Sequence, residues 1–389
     1  MRLLYLDRPF AGQKGGDKAR SRFLWDALAR DNTLDTVLLS ETTVPAEVLG
    51  AHAKHGSVHG LRVVRGRLPS PRTTWAPAPG SARQLTALLG ERAYDAIVVR
   101  FTAPAPLALL APPRMPVVVD VDMLQSRLAE MSWKQNRSVR NRFYLFESIL
   151  LRHFEQRLFS RPWLFLFSND IELQSVARRH RSPAAFELLP NTAPPAPVHP
   201  PARADGACVL FFGALDSSAN IDAFRFLATE LYPRLEPALK RHGITCRVVG
   251  RGQTPLYADL ASRAPRIRVD GEVEDLAGAI AGARLCLLPL RIASGTRTRI
   301  LEAGIYSAPV VTTTVGAEGL DLGPEHIVRA DTAEALAAET IRLLDDRPAA
   351  ERMGGLLRER VLARYSADSV AAQLRALLAG RTQPSGPAR

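Results

Sequence analysis

Residues 287–304 read LLPLRIASGTRTRILEAG and decide the fold of the second half of the chain. An apolar run leads into a turn of small residues, and a helical pattern starts at once near Ser294. The free N–H groups and the dipole of a helix's first turn attract an anion. Ser294 is a good N-cap, and Gly295 lets a ligand approach the backbone closely. We therefore predict an anion site where this strand meets its helix.

Charged side chains of the same stretch make the prediction more specific. Arg297 and Arg299 place positive charge near the start of the helix, and arginine binds phosphate through two parallel hydrogen bonds. Glu302 lies further into the helix, where a carboxylate can accept hydrogen bonds from sugar hydroxyls. The alternative is an ordinary capped turn, in which Glu302 pairs with Arg299 or faces solvent.

The whole chain alternates short apolar runs with amphipathic ones, which is typical of βα units and parallel sheets. Strands that are covered on both faces have continuous apolar runs. Such runs occur at residues 3–5, 36–39, 61–64, 96–99, 117–121 and 164–167, and again at 209–212, 245–249, 267–269, 285–288 and 310–312. The sequence therefore predicts an α/β protein of two facing Rossmann-like domains with a deep interdomain cleft.

Residues 190–201 contain six prolines in twelve positions, a composition that resists helix and sheet. We predict a first Rossmann-like domain over residues 1–190, a proline-rich linker over 191–206 and a second domain over 207–365. A C-terminal helix over 366–380 is expected to pack back toward the first domain. Residues 381–389 are expected to be a disordered tail.

Composition limits the class of protein. No apolar run reaches the ~18 residues that span a bilayer, and the N-terminus does not resemble a secretory signal. The three cysteines are widely separated, so we expect neither a disulfide framework nor a metal site, and we expect a cytoplasmic protein.

Positive charge is concentrated in the first half of the chain. The formal charge is +12, of which residues 1–195 carry +10, with 27 Lys and Arg against 17 Asp and Glu. A phosphorylated substrate, an anionic membrane or a polyanion would each suit this excess, and so would a composition that is simply rich in arginine. No nucleic-acid recognition motif is present, so no nucleic-acid partner is expected.

Residues 287–304 and the following SAPVVTTTVGAEGL at 307–320 resemble the donor-site signature of family 4 (group 1) glycosyltransferases, which have the GT-B fold. Upstream, residues 211–213 with Asn220, residues 248–252 and residues 269–273 resemble further motifs of the family in the same order. The resemblance covers nearly all of residues 186–380 and is looser over the first half.

The resemblance implies a nucleotide diphosphate sugar as co-substrate, no further cofactor and no metal. It implies that Glu302 binds the donor ribose and that Arg299 replaces the family's lysine. Ser294 occupies the position of the family's first glutamate, and the family's Arg and Lys pair after residue 213 is missing. The donor-binding residues predicted in this way are Gly15, Gly16, Gly213, Asn220, Arg251, Val273, Ser294, Gly295, Thr296, Arg297, Arg299 and Glu302.

Asp120 and Asp122 are the candidate catalytic residues, at the carboxyl end of an apolar strand. Side chains alternate along a strand, so the two carboxylates are predicted to share a face. Two close carboxylates raise the pKa of one of them, which suits a general base. The alternative is that they cap the following loop.

Residues 133–161 interleave arginines, among them Arg137, Arg140 and Arg142, with aromatic residues such as Phe143 and Phe146. The favoured interpretation is a domain helix whose aromatic residues are core and whose arginines are solvated. The other is a basic, aromatic surface that rests on anionic lipid.

The resemblance implies a retaining, metal-independent glycosyltransferase of the hexosyltransferase type in glycoconjugate or cell-surface polysaccharide biosynthesis. Its acceptor is expected to be phosphorylated, lipid-linked or a glycan, with peripheral attachment at the inner membrane face as a further expectation. The alternative is a catalytically weak nucleotide-sugar-binding partner subunit of the same fold.

Overall fold

The computed structural model describes residues 1–11, 16–65, 75–135, 142–180, 184–197, 208–292 and 298–382. These residues form two compact units. The first unit contains Met1–Asn191 and the C-terminal segment that begins at Val370, and the second unit contains Thr192–Ser369.

The first unit contains one eight-stranded sheet. Its strands are β1 (Arg2–Asp7), β2 (Thr33–Ser40), β3 (Val58–Arg65), β4 (Trp75–Pro77), β5 (Ala96–Arg100), β6 (Val117–Asp120), β7 (Leu164–Phe167) and β8 (Ala185–Leu188). Their order is β4-β3-β2-β1-β5-β6-β7-β8, and all neighbours are parallel except β3 and β4. The apolar runs predicted for this half are all strands, whereas the two short edge strands β4 and β8 were not predicted.

The helices that follow these strands are α1 (Gly16–Ala29), α2 (Ala46–Ala51), α3 (Ser81–Glu91), α4 (Gln125–Gln135), α5 (Arg142–Phe159) and α6 (Asp170–Ala177). A 3-10 helix, Ala105–Leu110, follows β5.

The sheet of the first unit has a core on each face. Side chains alternate along a strand, so Leu4 and Leu6 of β1 join one buried cluster, and Leu3 and Tyr5 join the other. This two-sided burial is the physical reason that the strands have continuous apolar sequences.

The second unit contains a six-stranded parallel sheet. Its strands are β9 (Cys208–Phe212), β10 (Thr245–Val249), β11 (Ile267–Gly271), β12 (Leu285–Leu288), β13 (Val310–Thr312) and β14 (Val328–Arg329). The order is β11-β10-β9-β12-β13-β14, which is the doubly wound order of nucleotide-binding folds. The order reverses between β9 and β12, and ligands of such sheets bind at the carboxyl ends of the strands there.

The helices of the second unit are α7 (Ser218–Phe226), α8 (Tyr232–Arg241), α9 (Pro255–Ser262), α10 (Leu276–Ala281), α11 (Thr298–Ile305), α12 (Ala333–Asp345) and α13 (Arg347–Tyr365). Helix α7 continues into α8 through a π-helical turn, Leu227–Leu231. This turn ends two residues before Pro233, which cannot supply the usual helical N–H group.

The last helix, α14 (Ala367–Thr382), belongs largely to the first unit. Its residues Val370, Ala371, Leu374 and Leu378 are buried in the cluster that contains Leu3 of β1. None of the helices within the described ranges is long and apolar enough to cross a membrane.

Candidate functional site

A pocket of about 280 Å³ lies at the carboxyl ends of β9 and β10 in the second unit. Phe212 and Gly213 end the first strand, and Val249 and Gly250 end the second. Helix α11, which follows β12, extends two charged side chains into the lining. The pocket therefore lies where a doubly wound sheet binds its ligand.

Arg299 is the fixed cation of this pocket. Its Nη1 atom donates to the carbonyl oxygen of Phe212 at 3.1 Å and to Oδ1 of Asn220 at 2.6 Å. Asn220 is 3% exposed, and its Nδ2 atom donates to the carbonyl oxygen of Ala214 at 2.6 Å. These bonds join α7 and α11 to the end of β9 and hold a guanidinium group against the pocket.

Two glycines allow the close packing at the end of the strands. Gly213 has a φ of +151°, and a Cβ atom there would lie 2.8 Å from Nη1 of Arg299 and 2.9 Å from Nδ2 of Asn220. Gly250 has a φ of +152°, and a Cβ atom there would lie 1.7 Å from the carbonyl oxygen of Gly213. Any larger residue at either position would displace the atoms that line the pocket.

Glu302 supplies a half-buried carboxylate one helical turn beyond Arg299. Burial raises its pKa, and the positive charge of Arg299 lowers it only in part. Burial also raises the pKa of Tyr306, and the carboxylate of Glu302 raises it further. The carboxylate of Glu302 therefore lies in a poorly solvated place, where a hydrogen bond to a ligand hydroxyl is stronger than in water.

The remaining wall is formed by Arg251, Glu272, Val273 and Leu276. Five predicted donor residues thus line one pocket, namely Gly213, Arg251, Val273, Arg299 and Glu302. Asn220 is bonded to one of them. Gly16 is the first residue of α1 in the other unit, and Gly15, Ser294, Gly295, Thr296 and Arg297 lie outside the described residues.

Asp120, at the end of β6 in the first unit, is enclosed by two arginines. Its Oδ1 atom accepts from Nη2 of Arg20 at 2.5 Å, and its Oδ2 atom accepts from Nη1 of Arg100 at 2.6 Å. The side chain of Asp120 has no exposed surface. The structure therefore corrects the prediction of a ligand-facing Asp120, since a carboxylate held in this way cannot reach an acceptor.

Asp122 lies in a different conformation from the one predicted. Strand β6 ends at Asp120, and Asp122 has a φ of +58°, so the alternation of a strand does not extend to it. Its Oδ2 atom accepts from Nη2 of Arg100 at 2.8 Å, and the side chain is 17% exposed. Burial opposes ionisation, but Arg100 and then Arg20 hold the pKa of Asp122 below its usual value. The predicted rise in pKa is therefore wrong for this carboxyl.

The arginines and two further members of this buried network were missed in the sequence. Asp7 ends β1, and burial raises its pKa although Arg100 lowers it. The hydroxyl of Tyr5 donates to Oδ2 of Asp7 at 2.8 Å. Asp7 and Arg100 are each the last residue of an apolar strand, and a charge at that position was the available signal.

Helix α5 has an exposed apolar patch, formed by Phe143, Phe146 and Ile149, whose exposed fractions are 55%, 58% and 58%. Phe159 at the other end of the helix is buried. The interpretation of the aromatic residues as core is therefore correct for Phe159 and wrong for Phe143 and Phe146. Arg142 is exposed beside the patch, whereas Arg137 and Arg140 lie outside the described residues.

The protein has two doubly wound sheets, and one of them has a glycine-rich pocket at its ligand-binding edge. This architecture is the GT-B fold. Residues 206–346 match the family described as "Glycosyl transferases group 1", so the resemblance read from the motifs is confirmed over this part of the second unit. A sequence comparison with curated proteins returns no match.

Solved structures of low sequence identity share the fold over the whole chain. Sucrose-phosphate synthase from Thermosynechococcus elongatus is 17% identical, with 97% of this chain and 98% of that chain covered and a TM-score of 0.59. HepE from Anabaena, solved in complex with UDP and glucose, is 17% identical, with coverages of 98% and 100% and a TM-score of 0.60. WaaG, a glycosyltransferase involved in lipopolysaccharide biosynthesis, is 16% identical, with coverages of 97% and 100% and a TM-score of 0.59.

Proposed function

We propose that the pocket of the second unit binds the nucleoside diphosphate part of a nucleotide sugar, and that the protein transfers the sugar to an acceptor hydroxyl. The proposal rests on one observation, that two arginines, a glutamate and a glycine line a single pocket where the strand order of the sheet reverses. These residues are Arg251, Arg299, Glu302 and Gly213. The family match over residues 206–346 supports the same activity.

Each wall of the pocket suits one part of that ligand. Arg299 is held by two acceptors and presents positive charge to a diphosphate. Gly213 and Gly250 let the phosphates approach the backbone. Glu302 accepts hydrogen bonds from the ribose hydroxyls, as acidic residues do in dinucleotide sites.

We propose that the two arginines of the pocket, Arg251 and Arg299, stabilise the leaving diphosphate without a metal ion. Fixed cationic groups at a leaving phosphate stabilise the charge that develops in the transition state. The motif resemblance further implies a retaining, hexosyltransferase-type reaction. Undiminished transfer in excess chelator supports metal independence, and retention is read from the anomeric configuration of the product.

We propose that Asp122 binds the acceptor hydroxyl. Its low pKa keeps the carboxyl ionised at neutral pH, and a carboxylate of low pKa is a weak base. The role that fits it is to accept a hydrogen bond from the hydroxyl and to orient it. Arg100 fixes the carboxylate in that position.

We also propose that the first unit attaches peripherally to the anionic inner face of a cytoplasmic membrane. A lipid-linked acceptor in glycoconjugate synthesis would be found there. The patch of Phe143, Phe146 and Ile149 with the adjacent Arg142 pairs exposed apolar surface with positive charge. Replacing Phe143 and Phe146 with serine is expected to reduce sedimentation with vesicles that contain phosphatidylglycerol. Equal sedimentation of the variant and the wild type would contradict attachment at this patch.

The experiment that tests the donor site measures transfer and hydrolysis with UDP-, GDP-, ADP- and TDP-sugars in wild type and Arg299→Ala. Loss of a charge-assisted hydrogen bond costs ~1.5–3 kcal/mol, which corresponds to a roughly 10- to 150-fold weaker donor interaction. Arg263→Ala is the matched control, because Arg263 is 74% exposed and pairs with Asp259 of the preceding helix α9. Binding without transfer would instead favour the catalytically weak partner subunit.

A further inference from the structure

A second pocket, of about 310 Å³, lies in the first unit between α4, α5 and α6. Its lining begins at Leu124 and Ile171, which follow the carboxyl ends of β6 and β7. It extends to Phe159 and His180 near the opposite end of the sheet. Leu124 lies two residues after Asp122, at the end of the sheet where ligands of such folds bind.

Charged groups of both signs line this pocket, and four of them, Arg127, Glu130, Arg152 and Glu155, have hydrogen-bond partners. Glu155, which is 3% exposed, accepts from the hydroxyl of Ser126 at 2.5 Å and from its N–H group at 3.2 Å. Arg152 donates to Glu130 at 3.0 Å. Arg127 donates to Glu172, a buried carboxylate behind the lining, at 3.5 Å.

The floor and rim of the pocket are less polar. Phe159 is buried at the floor, and Ile171 is 43% exposed at the rim. Ser175 of α6 is half-buried between them. Burial and then the charge of Arg179 lower the pKa of His180, so this imidazole is neutral at pH 7 and both donates and accepts hydrogen bonds.

We propose that this pocket binds an uncharged sugar residue of the acceptor. A sugar ring combines hydroxyl groups, which need both donors and acceptors, with an apolar face. The pocket offers carboxylates, guanidinium groups and hydroxyls above an apolar floor. Its volume is near the lower end of ligand pockets, which span roughly 300–1,000 Å³, and suits one or two rings.

The charge balance of the lining argues against the other ligand classes. A phosphate would face the carboxylate of Glu130 and the buried carboxyl of Glu155, which burial leaves only partly ionised at pH 7, and an organic cation would face Arg127, Arg152 and Arg179. A neutral polyhydroxylated ligand meets neither repulsion and keeps the existing ion pairs intact. That the bound sugar is part of the acceptor rests on the proposed transferase function. That the pocket binds a sugar does not depend on that function.

Saturation-transfer NMR with methyl glycosides of glucose, galactose and mannose tests the proposal on the full-length protein. At least one glycoside is expected to receive magnetisation from wild type, and inorganic phosphate is expected not to displace it. Ser175→Trp fills the pocket and is expected to weaken binding at least tenfold, or ~1.4 kcal/mol. Ala87→Trp is the matched control, because Ala87 lines a separate pocket of the same unit beside α3.

Glu130→Gln keeps the shape of the lining and removes one carboxylate, so it is expected to weaken glycoside binding even if Ser175→Trp does not fold. Unchanged glycoside binding in the folded variants, or binding of phosphate in place of every glycoside, would overturn the proposal. Binding of nucleoside diphosphates is measured on the same samples. If wild type bound a glycoside but no nucleoside diphosphate, the donor site would be contradicted. If it bound a nucleoside diphosphate but no glycoside, this pocket would be contradicted.

Discussion

Replacement of Glu155 with glutamine has an effect on stability that depends on pH. Glu155 is buried against the N-terminus of α4, and burial raises its pKa from 4.5 to about 7. Hydrogen bonds from Ser126 oppose the rise without cancelling it, and the nearby carboxylate of Glu172 adds to it. Glutamine keeps an oxygen that can accept from Ser126 but has no charge to desolvate.

The sign of the effect follows from proton binding. Between pH 4.5 and 7 the unfolded chain has lost the proton of Glu155, whereas the folded chain still holds it. Stability therefore falls as pH rises through this window and is lowest above pH 7. The difference between 4.5 and about 7 corresponds to roughly 3 kcal/mol. For a unit of about 200 residues that is a change in Tm of roughly 6–12 °C.

Differential scanning calorimetry at pH 5, 6, 7 and 8 measures this change. Glu155→Gln is expected to raise the Tm of the first unit relative to wild type at pH 8 by much more than at pH 5. Glu47→Gln, an exposed position of α2, is the control and is expected to leave the difference unchanged. If Glu155→Gln and wild type lost the same Tm between pH 5 and pH 8, the raised pKa of Glu155 would be refuted.

Two further substitutions test the sites. Gly213→Ala is expected to displace Arg299 and to weaken nucleotide binding. The control is Gly355→Ala within α13, where the Cβ position has open space, and it is expected to stabilise the fold by ~0.5–1 kcal/mol. Equal nucleotide affinity of the two variants by calorimetry would contradict the role of Gly213. Arg100→Met removes the arginine bonded to Asp122 and one of the two arginines bonded to Asp120, and breaking such a buried pair costs ~3–5 kcal/mol. It also raises the pKa of Asp122, so the acid limb of the pH profile of kcat/KM is expected to move to higher pH. An unmoved limb in the folded variant would exclude Asp122 as the titrating group.

Much of the fold was predictable because parallel strands buried on both faces carry a strong local signal. The run at residues 117–121 and the run at 209–212 are both strands. The pocket of the second unit was also accessible from the sequence. Its residues follow strand ends, and the order of the sheet brings strand ends together.

The network around Asp120 was not predictable in the same way. Arg20 lies 100 residues before Asp120, and Arg100 lies 20 before it, so their pairing depends on tertiary packing. The apolar run continues through Val121, so nothing in the sequence indicates that Asp122 takes a left-handed conformation. The exposure of Phe143 and Phe146 also depends on which face of α5 the neighbouring helix covers.

Isothermal titration of UDP, GDP, ADP and TDP into wild type and Glu302→Gln tests the donor pocket most directly. At least one nucleotide is expected to bind wild type, and a nucleotide at 100 times its Kd is expected to stabilise the protein by ~2.7 kcal/mol. Glu302→Gln is expected to bind it roughly 10- to 150-fold more weakly, the equivalent of ~1.5–3 kcal/mol. Glu339→Gln, on the surface of α12, is expected to bind as wild type does. If no nucleotide bound, or if Glu302→Gln bound as tightly as wild type, the pocket at the end of β9 would not be the donor site.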